Sequence, residues 1–324
     1  MSMEPISGRG FPAAVPGPEQ LYADCTLCPR ACHINRFERS GFCGAGTAPK
    51  LARAALHMWE EPCISGEQGS GAVFFSHCTL RCIFCQNHEI SAKGFGREVS
   101  VSRLAETFLR LQDEGAANIN LVTATHFLPS VIRALDEARP GLRIPVVYNC
   151  GGYETPETVR MLDGYVDIWL PDMKYSDDAL AVRYSSAPGY LETSTEAIRQ
   201  MIQQAGPPKF GGSPSDDSAG LMKRGVIIRH MVLPGHRRDS IDVLRHIAES
   251  FPAGSFLISL LSQYTPFYKA LSDREYHSLN RRITSFEYDS VVNEAVALGL
   301  KGYMQEKSSA KEEYTPSFDL EGVP

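Results

Sequence analysis

Short apolar runs, each bounded by polar or turn-forming residues, recur along the chain from residue 71 onward. They are rich in β-branched residues and show little alternation between apolar and polar positions, which is typical of parallel strands buried on both faces. The pattern predicts six such strands, at 71–76, 118–123, 144–148, 166–170, 225–229 and 256–261.

Amphipathic stretches with helix-start signals separate these strands. An amphipathic run follows Ser102 and ends near Gly115, and Thr155 precedes a proline at a predicted first helical position. Alternation of strand and helix predicts parallel crossovers and therefore an α/β fold. The spacing alone is compatible with either a barrel or a doubly wound sheet.

Changes in composition divide the chain into segments. Residues 1–20 are rich in glycine and proline and predict a flexible arm, whereas 21–70 are punctuated by cysteines and predict a small metal-binding module. The strand–helix alternation occupies 71–305, and 306–324 predict a loose polar tail. Within the alternating region, 207–218 are rich in Gly, Pro, Ser and Asp and predict an inserted loop, with a lid as the alternative.

Charge and cysteine usage narrow the possible functions. The 324 residues include 32 basic and 38 acidic side chains, for a net charge of −6, which argues against general nucleic-acid binding. No apolar run is long enough for a membrane helix, and the N-terminus lacks the apolar core of a secretion signal. Nine cysteines without such a signal predict a reducing cytoplasm and metal or cluster binding instead of disulfides.

Three cysteines directly after the first predicted strand carry the strongest chemical signal. Cys78, Cys82 and Cys85 form a C-x3-C-x2-C run. Three thiolates can hold three irons of a 4Fe–4S cluster and leave the fourth iron open, whereas electron-carrying clusters have four cysteines. A loop at the C-terminal end of a strand is also where α/β barrels gather catalytic residues. The alternatives are buried thiols or a zinc site, although structural zinc usually has four protein ligands.

A second cysteine set lies closer to the N-terminus. Cys25, Cys28, Cys32 and Cys43 are spaced C-x2-C-x3-C-x10-C among turn-forming residues. Four thiolates suit either tetrahedral zinc or a second iron–sulfur cluster, and a bound metal would explain how a segment without a core could fold. Free thiols, or a different set completed by Cys63, are the alternatives.

The three-cysteine run, with the aromatic Phe84 before its last cysteine, resembles the signature of the radical S-adenosylmethionine (SAM) superfamily. The resemblance covers roughly 25–300 and includes the segments 170–175 and 229–235. It is similar to the branch described as pyruvate formate-lyase activating enzyme-like. The resemblance implies a partial (β/α)6 TIM-type barrel with a small N-terminal cysteine-rich module.

The resemblance also implies a chemistry. Cys78, Cys82 and Cys85 would hold a 4Fe–4S cluster, and SAM would chelate its open iron and be cleaved to methionine and a 5′-deoxyadenosyl radical. A flavodoxin or ferredoxin would supply the electron in an oxygen-poor cytoplasm. The implied substrate is a glycyl-radical-type partner protein. A small metabolite, or a non-catalytic iron–sulfur or zinc redox protein, is the alternative function.

Residues at the ends of the later strands are the implied cofactor contacts. Asn149 follows the third strand, Asp172 and Lys174 follow the fourth, and Arg229 ends the fifth. By resemblance these four, together with Phe84, lie near SAM. Lys174 and Arg229 are also the implied catalytic residues.

One family segment is missing from the end of the second strand. Members of the superfamily often carry Gly-Gly-Glu there, but this chain has Thr123, Ala124, Thr125 and His126. Thr123, Thr125 and His126 are therefore expected to supply replacement contacts to SAM. The alternative is a helix-capping threonine and a solvated histidine.

Overall fold

A largely parallel sheet forms the centre of the structure, a computed structural model that describes residues 18–211, 220–305 and 316–324. The strands in chain order are β1 Lys50–His57, β2 Ser70–Phe75, β3 Arg97–Glu98, β4 Ile119–Val122, β5 Val146–Cys150, β6 Ile168–Pro171, β7 Lys209–Phe210, β8 Met222–Met231, β9 Leu257–Leu261 and β10 Gly302–Met304. Their order across the sheet is β10-β9-β8-β6-β5-β4-β2-β1-β3, and β7 pairs with β8.

The six predicted strands are confirmed as β2, β4, β5, β6, β8 and β9. Each pairs in parallel with the next one, and β10 adds a seventh parallel strand beside β9. Strand β1 runs antiparallel to β2. Among the described residues the two ends of the sheet, β3 and β10, do not pair with each other. The sheet is therefore unclosed, as expected for a partial barrel.

Helices connect the strands. They are α1 Pro18–Ala23, α2 Pro62–Ser65, α3 His88–Ser91, α4 Val101–Asp113, α5 Leu128–Ala138, α6 Pro156–Met161, α7 Asp178–Ser185, α8 Tyr190–Ala205, α9 Arg237–Ser250, α10 Lys269–Ser272 and α11 Ser285–Ala297, with 3-10 turns at Thr125–Phe127 and Arg274–Leu279. Thr155 caps α6 as predicted. Helix α4 is capped by Ser100 and already includes Ser102, because the Ser100 hydroxyl accepts the backbone N–H of Arg103.

Two of the apolar clusters among the described residues pack against the two faces of the sheet. The larger lies between the sheet and the outer helices and contains fully buried side chains such as Phe108 and Trp169. Each large apolar side chain buried there contributes about 1.5–3 kcal/mol. The smaller cluster lies inside the sheet, where Cys63 and Ile64 of α2 pack against Leu170 and other inward-facing strand residues. Helix α2 therefore closes the N-terminal end of the barrel.

The range predicted for the cysteine module extends too far along the chain. Strand β1 and helix α2 fall within 21–70, yet β1 is hydrogen-bonded to β2 and α2 packs inside the barrel. Strand β1 extends the sheet and α2 covers apolar side chains inside it, so both elements belong to the barrel.

The described end of the polar tail lies against the sheet. The backbone N–H of Leu320 donates to Ala52 O at 3.2 Å, and that of Ala54 donates to Glu321 O at 2.9 Å. The ring of Phe318 packs edge to face against the ring of Phe74 in β2, with the ring centroids 5.5 Å apart. Because β1 offers unpaired backbone groups there, residues 316–324 are not the loose tail that their composition predicts.

Three further predictions fall outside the described residues. These are most of the arm at 1–20, most of the insertion at 207–218, and the first half of the polar tail. Within the described ranges, no helix has the length and apolar character needed to cross a membrane.

Candidate active site

The three predicted cluster cysteines lie in the loop after β2, residues 76–87, here called the three-cysteine loop. Cys78, Cys82 and Cys85 all line one cavity of about 660 Å³, within the ~300–1,000 Å³ typical of ligand sites. The loop contains two non-glycine residues with left-handed backbones, His77 at φ 74° and Arg81 at φ 59°. Such strain costs about 1–3 kcal/mol per residue and persists only where the surroundings enforce it.

The chemistry of these cysteines fits a cluster. Burial raises the pKa of Cys78 and of Cys82 to about 11 and raises that of Cys85 as well, so iron binding must displace their protons. Three cysteine ligands can hold three irons of a 4Fe–4S cluster and leave the fourth iron open, whereas structural zinc usually has four protein ligands. The loop therefore fits a 4Fe–4S cluster better than a structural zinc ion.

The predicted charged residues meet on the wall formed by β5, β6 and β8, which lines the same cavity. Lys174 Nζ donates to Asp172 Oδ2 at 2.5 Å, and Arg229 Nε donates to Asp172 Oδ1 at 2.8 Å. Arg229 Nη2 also donates to Asn149 Oδ1 at 2.6 Å. The structure thus brings together the four residues that sequence places at three different strand ends, and Phe84 lines the cavity with them.

Both cations keep their charge in this buried wall. Burial alone would raise the pKa of Asp172, but Arg229 and Lys174 outweigh it and hold that pKa below its ordinary value. Burial alone would lower the pKa of Lys174 and of Arg229, but the Asp172 carboxylate outweighs it and raises both. The wall therefore presents two fixed positive charges bridged by one carboxylate.

Two further carboxyl groups line the cavity nearer the α2 end of the barrel. Glu60 Oε2 lies 3.7 Å from Arg229 Nη1, and Glu61 is 7% exposed with no hydrogen-bond partner for Oε2 in the described structure. Burial raises the pKa of both carboxyl groups, although Arg229 opposes the shift. The sequence analysis assigned these two residues no role. The feature that could have indicated one is the pair of adjacent acidic residues directly before the proline of α2.

Of the three residues expected to replace the missing SAM contacts, only Thr123 lines the large cavity. Thr123 lines the cavity and has a left-handed backbone at φ 61°, which is rare for a β-branched residue. Thr125 instead donates to Glu154 Oε1 at 2.8 Å and accepts from the Tyr148 hydroxyl at 3.0 Å.

His126 also faces away from the large cavity, and its Nε2 lies 2.7 Å from Ser76 O. Neither Thr125 nor His126 lines the cavity, so the expectation that they contact a cofactor there does not hold. The left-handed turn at Thr123 directs Thr125 and His126 to the face of the sheet opposite the cavity. The sequence alone does not predict this change of direction.

The second cysteine set also meets in one place, here called the four-cysteine site. All four cysteines, Cys25, Cys28, Cys32 and Cys43, line a second cavity of about 10 Å³. Arg30, Arg36 and His126 line it with them. Burial raises the pKa of Cys28 to about 12 and that of Cys43 as well. The space is at the lower limit for a single water molecule.

Arginines attach the four-cysteine site to the barrel. Arg30 Nε donates to Thr79 O in the three-cysteine loop at 3.0 Å, and its guanidinium lies 3.9 Å from the ring centre of Phe42. Arg36 Nη1 donates to the carbonyl oxygen of His126 at 2.5 Å. The two cysteine regions are therefore in direct contact through side chain–backbone hydrogen bonds.

Comparison with known proteins places the chain in a family. Over 284 residues it is 26% identical to an uncharacterized protein of Methanocaldococcus jannaschii, covering 85% of this chain and 75% of that protein. A solved domain of pyruvate-formate lyase-activating enzyme from Bacteroides vulgatus is 14% identical, covers 56% of this chain and 90% of that domain, and gives a TM-score of 0.36.

SuiB of Streptococcus suis, solved with S-adenosylmethionine, is 10% identical over 71% of this chain, with a TM-score of 0.44. The chain spans about half of SuiB, namely 48% of its length. A family model of the radical SAM superfamily, whose members use a 4Fe–4S cluster and SAM, matches residues 72–248. This match spans more than half of the chain and includes the three-cysteine loop and the charged wall, and the chain therefore belongs to the radical SAM superfamily.

Proposed function

We propose that the protein reductively cleaves SAM at a cluster held by Cys78, Cys82 and Cys85 and uses the resulting radical to abstract hydrogen from a substrate. One observation carries the proposal: the three thiols line the same cavity as the Asp172–Lys174–Arg229 charge cluster. When bound, the cluster would supply one electron to SAM and break its carbon–sulfur bond, giving methionine and a 5′-deoxyadenosyl radical.

The charged wall suits the zwitterionic end of SAM. The cations of Lys174 and Arg229 would bind the carboxylate of SAM, and the Asp172 carboxylate would accept a hydrogen bond from its amino group. Asn149 already accepts a hydrogen bond from Arg229 and would keep the guanidinium oriented toward the cavity. Thr123 and Phe84 also line the cavity and would lie near the cofactor.

The substrate that we propose first is a backbone glycine of a glycyl-radical-type protein. Its support is the run of segments shared with the activating enzyme-like branch, including the charged residues at 172–174. The electron would come from a flavodoxin or ferredoxin, as the resemblance to the activating enzyme-like branch implies. A cytoplasm poor in oxygen would preserve the exposed iron.

A small molecule with a cationic group is the second candidate substrate. The observation that favours it is the pair Glu60 and Glu61, which lines the cavity near the closed α2 end of the barrel. Burial raises the pKa of both carboxyl groups, and a cationic substrate would favour their ionised form, whereas a backbone glycine carries no charge that could do so.

Product analysis tests the proposal and separates these substrates. Anaerobically reconstituted protein given SAM and dithionite should form 5′-deoxyadenosine. A fully loaded cluster without that product would refute the proposal and favour a non-catalytic redox protein. Deuterium transferred to 5′-deoxyadenosine from a labelled partner protein would identify a protein substrate. Transfer from labelled small amines alone would identify the second candidate.

For the four-cysteine site we propose a structural metal role, with zinc ahead of a second iron–sulfur cluster. Support comes from the four thiols around one nearly filled cavity and from the lack of a sizeable core in that segment. Counting iron and zinc per chain by mass spectrometry tests it: about four irons and one zinc support the proposal, and eight irons contradict it.

A further inference from the structure

Each sulfur of the three-cysteine loop receives a hydrogen bond. The backbone N–H of Leu80 donates to Cys78 Sγ at 3.4 Å, and the Ser91 hydroxyl donates to Cys85 Sγ at 3.3 Å. The shortest of the three comes from Ser185, whose hydroxyl donates to Cys82 Sγ at 2.9 Å. Ser185 ends α7, which is remote in sequence from the loop, so this contact depends on the tertiary fold.

A buried tyrosine lies behind Ser185. The Tyr175 hydroxyl is 2.7 Å from Ser185 Oγ, and both residues are fully buried. Ser185 has one hydroxyl proton, and the bond to the cysteine sulfur uses it. Tyr175 must therefore be the donor in the second bond, since two oxygens cannot share a hydrogen bond without a proton. The chain of donation runs from Tyr175 to Ser185 to Cys82.

The position of this hydrogen-bond chain is held from the other cysteine region. Arg30 Nη2 donates to Ser185 O at 3.4 Å, while Arg30 Nε donates to Thr79 O within the three-cysteine loop. Ser186, the C-cap residue that follows α7, has a left-handed backbone at φ 50°. One side chain therefore links the helix end that carries the donor to the loop that carries the sulfur.

We propose that Ser185 and Tyr175 are positioning residues that raise the reduction potential of the catalytic cluster through the Cys82 sulfur. Reduction adds negative charge to the cluster and its sulfurs, so a hydrogen bond to a sulfur stabilises the reduced state more than the oxidised one. Donation by Tyr175 polarises the Ser185 hydroxyl and strengthens its bond. The inference rests on the part of the proposed function that assigns the cluster to Cys82.

The experiment compares reduction potentials of the full chain, reconstituted anaerobically and titrated with spectroscopic detection of the reduced cluster. Ser185→Ala should shift the potential to more negative values. Ser185→Thr keeps a hydroxyl group, so its reduction potential should stay close to that of the wild type. Tyr175→Phe should shift the potential in the same direction by a smaller amount, because Ser185 can still donate.

Ser194→Ala is the matched control. Ser194 is fully buried and its hydroxyl donates to a backbone carbonyl of α8 at 3.1 Å, away from the cysteines. The Ser194→Ala variant should therefore have the same cluster reduction potential as the wild type. Iron content is measured for every variant. If Ser185→Ala binds less iron than the wild type, the reduction potential of Tyr175→Phe is the test of the inference.

An unchanged potential in fully loaded Ser185→Ala and Tyr175→Phe would overturn the inference, as would an equal shift in Ser194→Ala. The titration contains no SAM. A shifted potential in a protein that fails to cleave SAM would therefore uphold this inference while refuting the proposed function.

Discussion

The two cysteine regions touch each other but offer very different surroundings to their sulfurs. The three-cysteine loop borders a cavity of about 660 Å³, whereas the four-cysteine site encloses about 10 Å³. The cavity beside the three-cysteine loop is also lined by Asp172, Lys174 and Arg229. The four-cysteine site is lined instead by Arg30 and Arg36, whose guanidinium groups donate to backbone carbonyls. Closed sites are typical of structural metals, and sites with an open position and nearby charges are typical of catalysis.

The difference teaches that cysteine count alone does not assign a role here. Both sets contain buried thiols whose pKa values are raised by the same cause, burial. What separates them is space for a second ligand and the presence of charged groups that could bind it.

Replacing a ligand of the three-cysteine loop should have the largest effect. Cys82→Ala removes one iron ligand, so 5′-deoxyadenosine formation should fall to the background rate, measured by chromatography after anaerobic reconstitution. Cys63→Ala is the control, since Cys63 is equally buried but lies in α2 outside both cysteine sets. Retained cleavage in Cys82→Ala would remove the basis of the comparison.

Removing the carboxylate that bridges the charged wall should have the next largest effect. Asp172→Asn leaves two buried cations without their shared partner in a cavity meant for a cofactor of net positive charge. SAM affinity should weaken by at least about tenfold, which is about 1.4 kcal/mol of binding free energy. Calorimetry on the loaded protein measures this, with exposed Asp163→Asn as control. Unchanged affinity would show that SAM does not use this wall.

A change in the four-cysteine site should affect stability more than chemistry. Cys43→Ala should lower the unfolding temperature by roughly 5 °C or more through loss of the bound metal. The iron of the catalytic cluster should remain, as judged by its absorption spectrum. If that variant instead lost SAM cleavage completely at full catalytic iron, the four-cysteine site would have a direct part in the reaction.

The smallest effect on SAM cleavage is expected at Glu154, which lies between the two cysteine regions. Burial raises the pKa of this carboxyl group to about 8, so the folded state holds its proton over a pH range in which the unfolded chain has lost it. Stability should therefore fall as pH rises between about 4.5 and about 8, by up to about 1.4 kcal/mol per pH unit.

Glu154→Gln cannot ionise and should flatten this slope, with no change in SAM cleavage. Denaturant unfolding across that pH range measures it for both proteins. Parallel pH profiles in wild type and variant would contradict a protonated Glu154.

Local pattern predicted much of the site because its residues follow strands in sequence. Asn149, Asp172 and Arg229 each lie at or near the end of a strand, and parallel pairing brings strand ends together. The same reasoning failed for Thr125 and His126, because the left-handed Thr123 turns the chain behind the sheet. It also assigned nothing to Glu60 and Glu61, whose importance comes from the closure of the barrel by α2.

The sequence by itself determined the spacing of both cysteine sets, the six parallel strands and the radical SAM resemblance, because these depend on near neighbours and on periodicity. Only the tertiary structure decided which sulfurs face open space and which are enclosed. It alone joined Tyr175 and Ser185 to Cys82 and laid 316–324 along β1. Such contacts join residues far apart in the chain, so burial and packing, and not local preference, select them.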